Sequence, residues 1–170
     1  RRKNRFMTFN NYLFTTLGVI SALYAAGLSS AVFGSYDNNQ RPHIENLSIV
    51  YATSVDKRDF NNLREVFHED AVLEGPGFKF QGIEEIVSGM EGIRMYDKTQ
   101  HFVMNQDLKI NNLSASNEVY TIAYHFFKKE DVTFRLDWGI IYSDSLKREK
   151  GRWKILNRKL DLIWQKEERI

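Results

Sequence analysis

The chain contains no cysteine in its 170 residues. That absence excludes a disulfide framework, a thiolate nucleophile and a cysteine-ligated metal site. It leaves export open, because a domain of this length can fold without covalent staples. Charge is missing from one long stretch: between Arg5 and Asp37 there is no Lys, Arg, Asp or Glu. The rest shows no repeat, no low-complexity tract and no second domain. Nor does it carry the basic excess that phosphate-backbone binding needs. The formal net charge of +2 is misleading, since residues 1–34 hold four basic residues (Arg1, Arg2, Lys3 and Arg5) and no acid. Without them, 20 basic residues face 22 acidic ones, a net of −2. A mildly acidic body makes nucleic acid an unexpected partner.

What is present is apolar and aromatic. With 42% hydrophobic and 14% aromatic residues, the chain can build a sizeable core or a lined cavity rather than remain disordered. The uncharged stretch has its own logic. A basic cluster precedes the apolar run Tyr12 to Gly27, and small residues follow, with Ser29-x-Ala31 and Val32-x-Gly34 both fitting a cleavage preference. Basic, apolar, small is the order of a secretory signal. The alternative is a retained anchor, because residues 12–33 are long enough to span a bilayer as a helix. The expected organisation is therefore an export signal or membrane anchor over residues 1–34 and one domain over residues 35–170. The expected location is exported (periplasmic or secreted), or membrane-anchored if the leader stays.

In the body, Ile44, Leu47, Val50, Tyr51 and Ser54 recur at helical spacing, predicting a helix over His43 to Val55. A second, short helix is predicted from Phe60, Leu63, Val66 and Phe67, with Asp59 as its N-cap. A short strand, Ala71 to Glu74, ends at the turn signal Gly75-Pro-Gly77. A third helix runs from Ile83 to about Met95. Four long strands then follow: Gln100 to Ile110, Ala115 to Lys128, Val132 to Ser145, and Arg152 to about Trp164. In the second of these, Val119, Thr121, Ala123 and His125 alternate with Tyr120, Ile122, Tyr124 and Phe126. Helices first and a meander afterwards predict an α+β fold, a curved sheet with helices packed on one side. Such a sheet closes into a cone with one open end, suited to a small molecule.

Four segments carry a resemblance. Tyr51 to Val72, Gly82-Ile-Glu-Glu-Ile86, Thr99-Gln-His101-Phe-Val-Met-Asn105 and Gly139 to Arg158 resemble, in order, the SnoaL-like proteins of the nuclear-transport-factor-2-like superfamily. The resemblance implies three N-terminal helices on a strongly curved, mostly antiparallel sheet. Fold alone does not choose a function within that superfamily, which holds enzymes and non-catalytic modules alike. The pattern is nearest to its dehydratases, of the scytalone and bile-acid 7α types. In these a Tyr and an Asp on the first helix face a His on the first long strand, and a second polar residue projects from the next strand. The matching positions are Tyr51, Asp56, His101 and His125, with Tyr124 pointing inward instead if the register slips by one. Tyr124, Phe102 and Trp138 are expected to bind substrate.

Such a set can move a proton beside a carbonyl. An imidazole removes an acidic proton near neutral pH, a carboxylate fixes its tautomer, and a phenol stabilises the oxygen that gains charge. The expected activity is a cofactor-independent lyase or isomerase acting on a small hydrophobic oxygenated compound. No metal or other cofactor is expected, since short ligand spacings are missing. A non-catalytic small-molecule-binding or assembly module is the alternative. A third reading, an epoxide hydrolase, would draw on Arg135 and Asp137, residues that fit an exposed edge better. His68 reads as a solvated residue in a polar loop, while Asp144, Trp153 and Arg158 read as structural. Phe127 and Phe134 read as exposed aromatics, and a homodimer is the expected assembly.

Overall fold

The computed structural model describes residues 39–170. The leader and its cleavage or anchoring role lie outside the described residues. Among those described, no helix is long and apolar enough to cross a membrane. Residues 41–170 form a compact unit.

The first helix, α1, covers residues 39–57 and buries Ile44, Ser48, Tyr51, Ala52, Ser54 and Val55. It stops at Arg58, whose φ of 61° is the left-handed conformation that ends helices and that glycine adopts most easily. A 3₁₀ helix follows, Phe60–Glu65, and buries Phe60 and Leu63. Asp59 stands at its N-cap as expected, but its side chain makes no capping bond there. After β1 (Phe67–Gly75) and β2 (Phe78–Gln81) comes α2 (Ile83–Gly89), continued by a second 3₁₀ turn, Met90–Met95. The remaining strands are β3 (Lys98–Asn111), β4 (Ser114–Lys129), β5 (Val132–Glu149) and β6 (Arg152–Arg169).

The six strands form one sheet in the order β2-β1-β6-β5-β4-β3. All neighbours are antiparallel except β1 and β6. The result is the expected α+β architecture, three helical segments on a curled, mostly antiparallel sheet. Leu63, Val66, Leu73, Ile86, Val119 and Ile155 are completely buried between the layers. Each such side chain stabilises the fold by about 1.5–3 kcal/mol.

Three departures from the sequence reading have simple causes. Strand β2 was not expected; Gly75-Pro-Gly77 is a hairpin turn, with Gly77 at φ 81°, and returns the chain onto β1. Strand β1 begins at Phe67, not Ala71, so His68 is not a solvated loop residue. It is 7% exposed, and its Nε2 lies 2.8 Å from Glu149 Oε2. Phe127 and Phe134 are half-buried rather than exposed, because they stack on each other at 5.9 Å beneath the Lys129 ammonium.

Cross-strand register positions the site. His101 on β3 faces Ala123 on β4, and Ala123 faces Trp138 on β5. One row of side chains thus reads imidazole, methyl, indole. The small middle member leaves space between two large rings. Two residues along, on the same face, Thr99 faces His125.

Candidate active site

A cavity of about 290 Å³ opens in the unit and is lined by α1, α2 and its 3₁₀ extension, and strands β2 to β6. Its walls are mostly apolar, with Val55, Phe80, Met90, Ile93, Ile140 and Leu160 among them. The polar side chains that line it are Tyr51, Tyr96, His101, His125, Trp138 and Tyr142. Among the described residues, no Lys, Arg, Asp or Glu lines it.

Asp56, one turn and a half after Tyr51 on α1, organises the polar end. Its Oδ1 accepts from His101 Nδ1 at 2.7 Å and from the Thr99 hydroxyl at 2.9 Å. Its Oδ2 accepts from the His101 backbone N–H at 2.9 Å. Burial pushes the Asp56 carboxyl upward, but the hydrogen bonds and charge of His101, with the Thr99 bond, outweigh it and hold the pKa below 3.8. An ionised carboxylate can only accept, so the proton of a neutral His101 ring sits on Nδ1. The Nε2 lone pair is then free. The ring is almost fully enclosed, its side chain 6% exposed.

His125 is inward, as the alternation of β4 predicts, and 2% exposed. Its ring packs 4.7 Å from Tyr96, 5.0 Å from Trp138 and 6.3 Å from His101, centre to centre. Desolvation drives its pKa down to about 4, against the pull of the Leu136 carbonyl, and nearby His101 and Arg58 lower it further. The ring is therefore neutral at physiological pH. Nδ1 donates to Leu136 O at 3.2 Å, which leaves Nε2 as an acceptor.

Tyr51 lies edge-on to His101 at 6.5 Å and to Tyr142 at 5.7 Å. Burial raises its pKa to about 12, although the Arg158 guanidinium opposes the rise. The phenol stays protonated and remains a donor. Behind the two phenols, Arg158 lies 4.6 Å from the Tyr51 ring and 4.4 Å from that of Tyr142. It is fixed by two bonds to Asp144, at 2.8 and 2.6 Å, and one to Ser48, at 2.8 Å. Arg158 pairs with Asp144, and both are buried.

The four expected catalytic residues therefore converge, and Trp138 joins them. Phe102 and Tyr124 do not. They line a separate outer groove with Ile49, Thr53 and Met104, a groove that Asp56 and His101 also border. The reason is the pleat: residues next to inward His101 and His125 must point to the other face. Arg135 and Asp137, the epoxide-hydrolase candidates, bind each other at 2.6 and 2.9 Å and Arg135 also reaches Glu168. His101 and Asp56 lie within hydrogen-bond range, the contact an imidazole–carboxylate pair needs for acid–base work.

Sequence reading missed Arg58. Its guanidinium donates to Thr99 Oγ1 at 2.6 Å, to Val55 O at 2.8 Å and to Tyr96 O at 3.1 Å. A relay results, in which Arg58 holds Thr99, Thr99 holds Asp56, and Asp56 holds His101. A basic residue just past a helix end was the one available signal. Tyr96 and Tyr142 were also missed; for Tyr142, the inward alternation of β5 could have found it.

With the geometry in place, comparison with known proteins decides the lineage. The model of the SnoaL-like domain matches residues 38–159. The chain belongs to the SnoaL-like family. No curated protein matches it. Solved structures of similar fold include a type 2 hexachlorocyclohexane dehydrochlorinase, 18% identical with a TM-score of 0.71, covering 78% of this chain and 90% of that one. A Novosphingobium aromaticivorans protein assigned as a scytalone dehydratase is 21% identical, with a TM-score of 0.70 and coverages of 81% and 93%. A Kribbella flavida protein is 17% identical, with a TM-score of 0.72 and coverages of 76% and 95%. At such identities the likeness shows that this SnoaL-like domain shares their fold; its chemistry has to be argued from its own side chains.

Proposed function

We propose that the domain is a cofactor-independent lyase or isomerase of the dehydratase type, acting on a small hydrophobic oxygenated compound. The observation that carries this is the His101 imidazole, held through Nδ1 by Asp56 at 2.7 Å and bordering an apolar cavity. In this reading His101 Nε2 takes a proton from a carbon beside a carbonyl, and Asp56 stabilises the imidazolium that forms. The Tyr51 phenol donates to the carbonyl oxygen as it gains charge. Neutral His125 accepts a hydrogen bond from a substrate hydroxyl and orients it. In a dehydration the C–O bond of a β-hydroxyl then breaks, the carbon electron pair becomes a double bond, and the proton on His101 leaves with the hydroxyl as water. Returning that proton to another carbon gives isomerisation instead.

The test uses exchange, which asks less of the substrate than full turnover. A panel of cyclic ketones, including 1-tetralone, is incubated in deuterium oxide with the protein, and exchange at the α-carbon is followed by proton NMR. The expected result is catalysed exchange that falls by about 10²- to 10⁴-fold in His101→Ala, the range for loss of a general base. A His101→Ala protein that keeps its fold and exchanges as fast as the parent would exclude the reading. Ketones that bind without any exchange would point to the binding module.

A further inference from the structure

The cavity contains a donor that the proposed chemistry does not use. The indole Nε1 of Trp138 is buried and has no hydrogen-bond partner among the described residues. Burying an N–H without an acceptor costs free energy, and proteins pair nearly all such groups. Trp138 is also no stray core residue. It lines the cavity, packs 5.0 Å from His125, and ends the row His101–Ala123–Trp138. Two strand spacings separate the ends of that row, roughly 10 Å at the backbone, with only a methyl group between.

Charge supplies the second constraint. A carboxylate or phosphate on the ligand would meet no cation among the described residues, because no described Lys or Arg lines the cavity. Arg158 is walled off behind Tyr51 and Tyr142 and neutralised by Asp144. Arg58 is committed to Thr99 and two backbone carbonyls. At the catalytic end the Asp56 carboxylate, bonded to the His101 ring, disfavours an anion. The volume is at the small end for ligand sites and suits one or two rings.

We infer that the substrate is an uncharged one- or two-ring compound with two oxygen functions at opposite ends, one worked on at His101 and the other accepting a hydrogen bond from Trp138 Nε1. This rests on the reading that the cavity is the substrate site. It adds a residue that selects substrates by charge and by a second oxygen, apart from the proton transfer itself.

Three near-isosteric probes separate the possibilities: 6-acetyl-1-tetralone, 6-isopropyl-1-tetralone and 1-tetralone-6-carboxylate. All share the ketone, and they differ in whether the far end is a neutral acceptor, an apolar group or an anion. Affinities are measured by calorimetry, and the indole N–H signals by nitrogen-15 NMR, with the Trp138 signal identified by its loss in Trp138→Phe. The acetyl compound is expected to bind tightest and to shift the Trp138 N–H downfield, while the isopropyl compound does not. Trp138→Phe should weaken the acetyl compound about five- to tenfold, the loss of one neutral hydrogen bond, and the isopropyl compound less than about twofold. The inference is overturned by an unmoved Trp138 signal in the acetyl complex, or by equal weakening of both compounds in Trp138→Phe. It is equally overturned if the carboxylate binds as well as the acetyl compound, or if none of the three binds saturably. The wild-type NMR needs no stable variant beyond the assignment. Because these are binding readouts, this order of affinities without deuterium exchange would sink the lyase reading alone. Exchange that depends on His101 while Trp138→Phe changes nothing would sink this inference alone.

Discussion

Asp56 is the residue on which the candidate chemistry turns, because three donors converge on its two oxygens: the His101 ring, the His101 backbone N–H and the Thr99 hydroxyl. A carboxylate satisfies all three. An amide in its place has one accepting oxygen, and its NH₂ must face at least one donor head-on. Asp56→Asn therefore loses either the imidazole's orientation or its tautomer while changing almost no volume. The deuterium-exchange rate should drop by about 10²- to 10⁴-fold, the cost of misassigning a catalytic imidazole's proton, with ketone affinity nearly unchanged. Exchange within a few-fold of the parent would mean that His101 works without its carboxylate.

The joint between α1 and β3 is what keeps Asp56 and His101 together. Arg58 takes a left-handed backbone conformation, costly for a side chain other than glycine, and its guanidinium ties the helix end to Thr99 and Tyr96. Thr99→Val keeps the shape and the strand preference but removes the hydroxyl from both Arg58 and Asp56. A stability loss of about 1–2 kcal/mol in urea unfolding is expected. The exchange rate should fall much less than in Asp56→Asn, since His101 still donates twice to the carboxylate. Equal damage from the two substitutions would show that the relay, not the carboxylate, sets the imidazole. The same joint marks how far sequence could be read. Alternation along β4 put His125 inside, and helical spacing on α1 put Tyr51 inside, because each of those facts is local and periodic. Arg58 was not legible: its partners Tyr96 and Thr99 lie 38 and 41 positions away, and only tertiary folding brings them near. Four-residue β2 was too short to carry a period. Phe102 and Tyr124 were lost to the same pleat that placed their neighbours correctly.

At the scale of the whole domain, the core encloses more polarity than its apolar walls suggest. Arg158, Asp144, Asn117, Thr121 and His125 are all buried. For the ion pair this means interdependence. Arg158→Met leaves Asp144 as a buried charge without a partner, and about 3–5 kcal/mol of stability should be lost. Adding Asp144→Leu should restore much of it, which urea unfolding of the single and double variants would reveal. No recovery in the double variant would mean that the guanidinium stabilises chiefly by its packing against Tyr51 and Tyr142.

His125 makes a prediction about acid. In the unfolded chain its imidazole titrates near its ordinary value of 6.5, and in the fold near 4. Between those values the unfolded state binds the extra proton and the native state does not, so lowering the pH favours unfolding. The contribution is intact above pH 6.5, shrinks across the window from about 6.5 to 4, and stops changing below it. Taken over the whole window, a shift of this size corresponds to roughly 3 kcal/mol. Other groups, Asp56 among them, also respond to acid, so the wild-type curve alone does not isolate the effect. His125→Asn removes the titration while keeping a neutral donor for the Leu136 carbonyl. Urea unfolding of both proteins at several pH values should give curves that run parallel above pH 7 and converge as the pH falls, the variant losing less. Curves that stay parallel down to pH 4 would mean that His125 takes up its proton within the fold. A readily protonated ring would also be able to serve as an acid in the reaction, a role the neutral ring described here does not have.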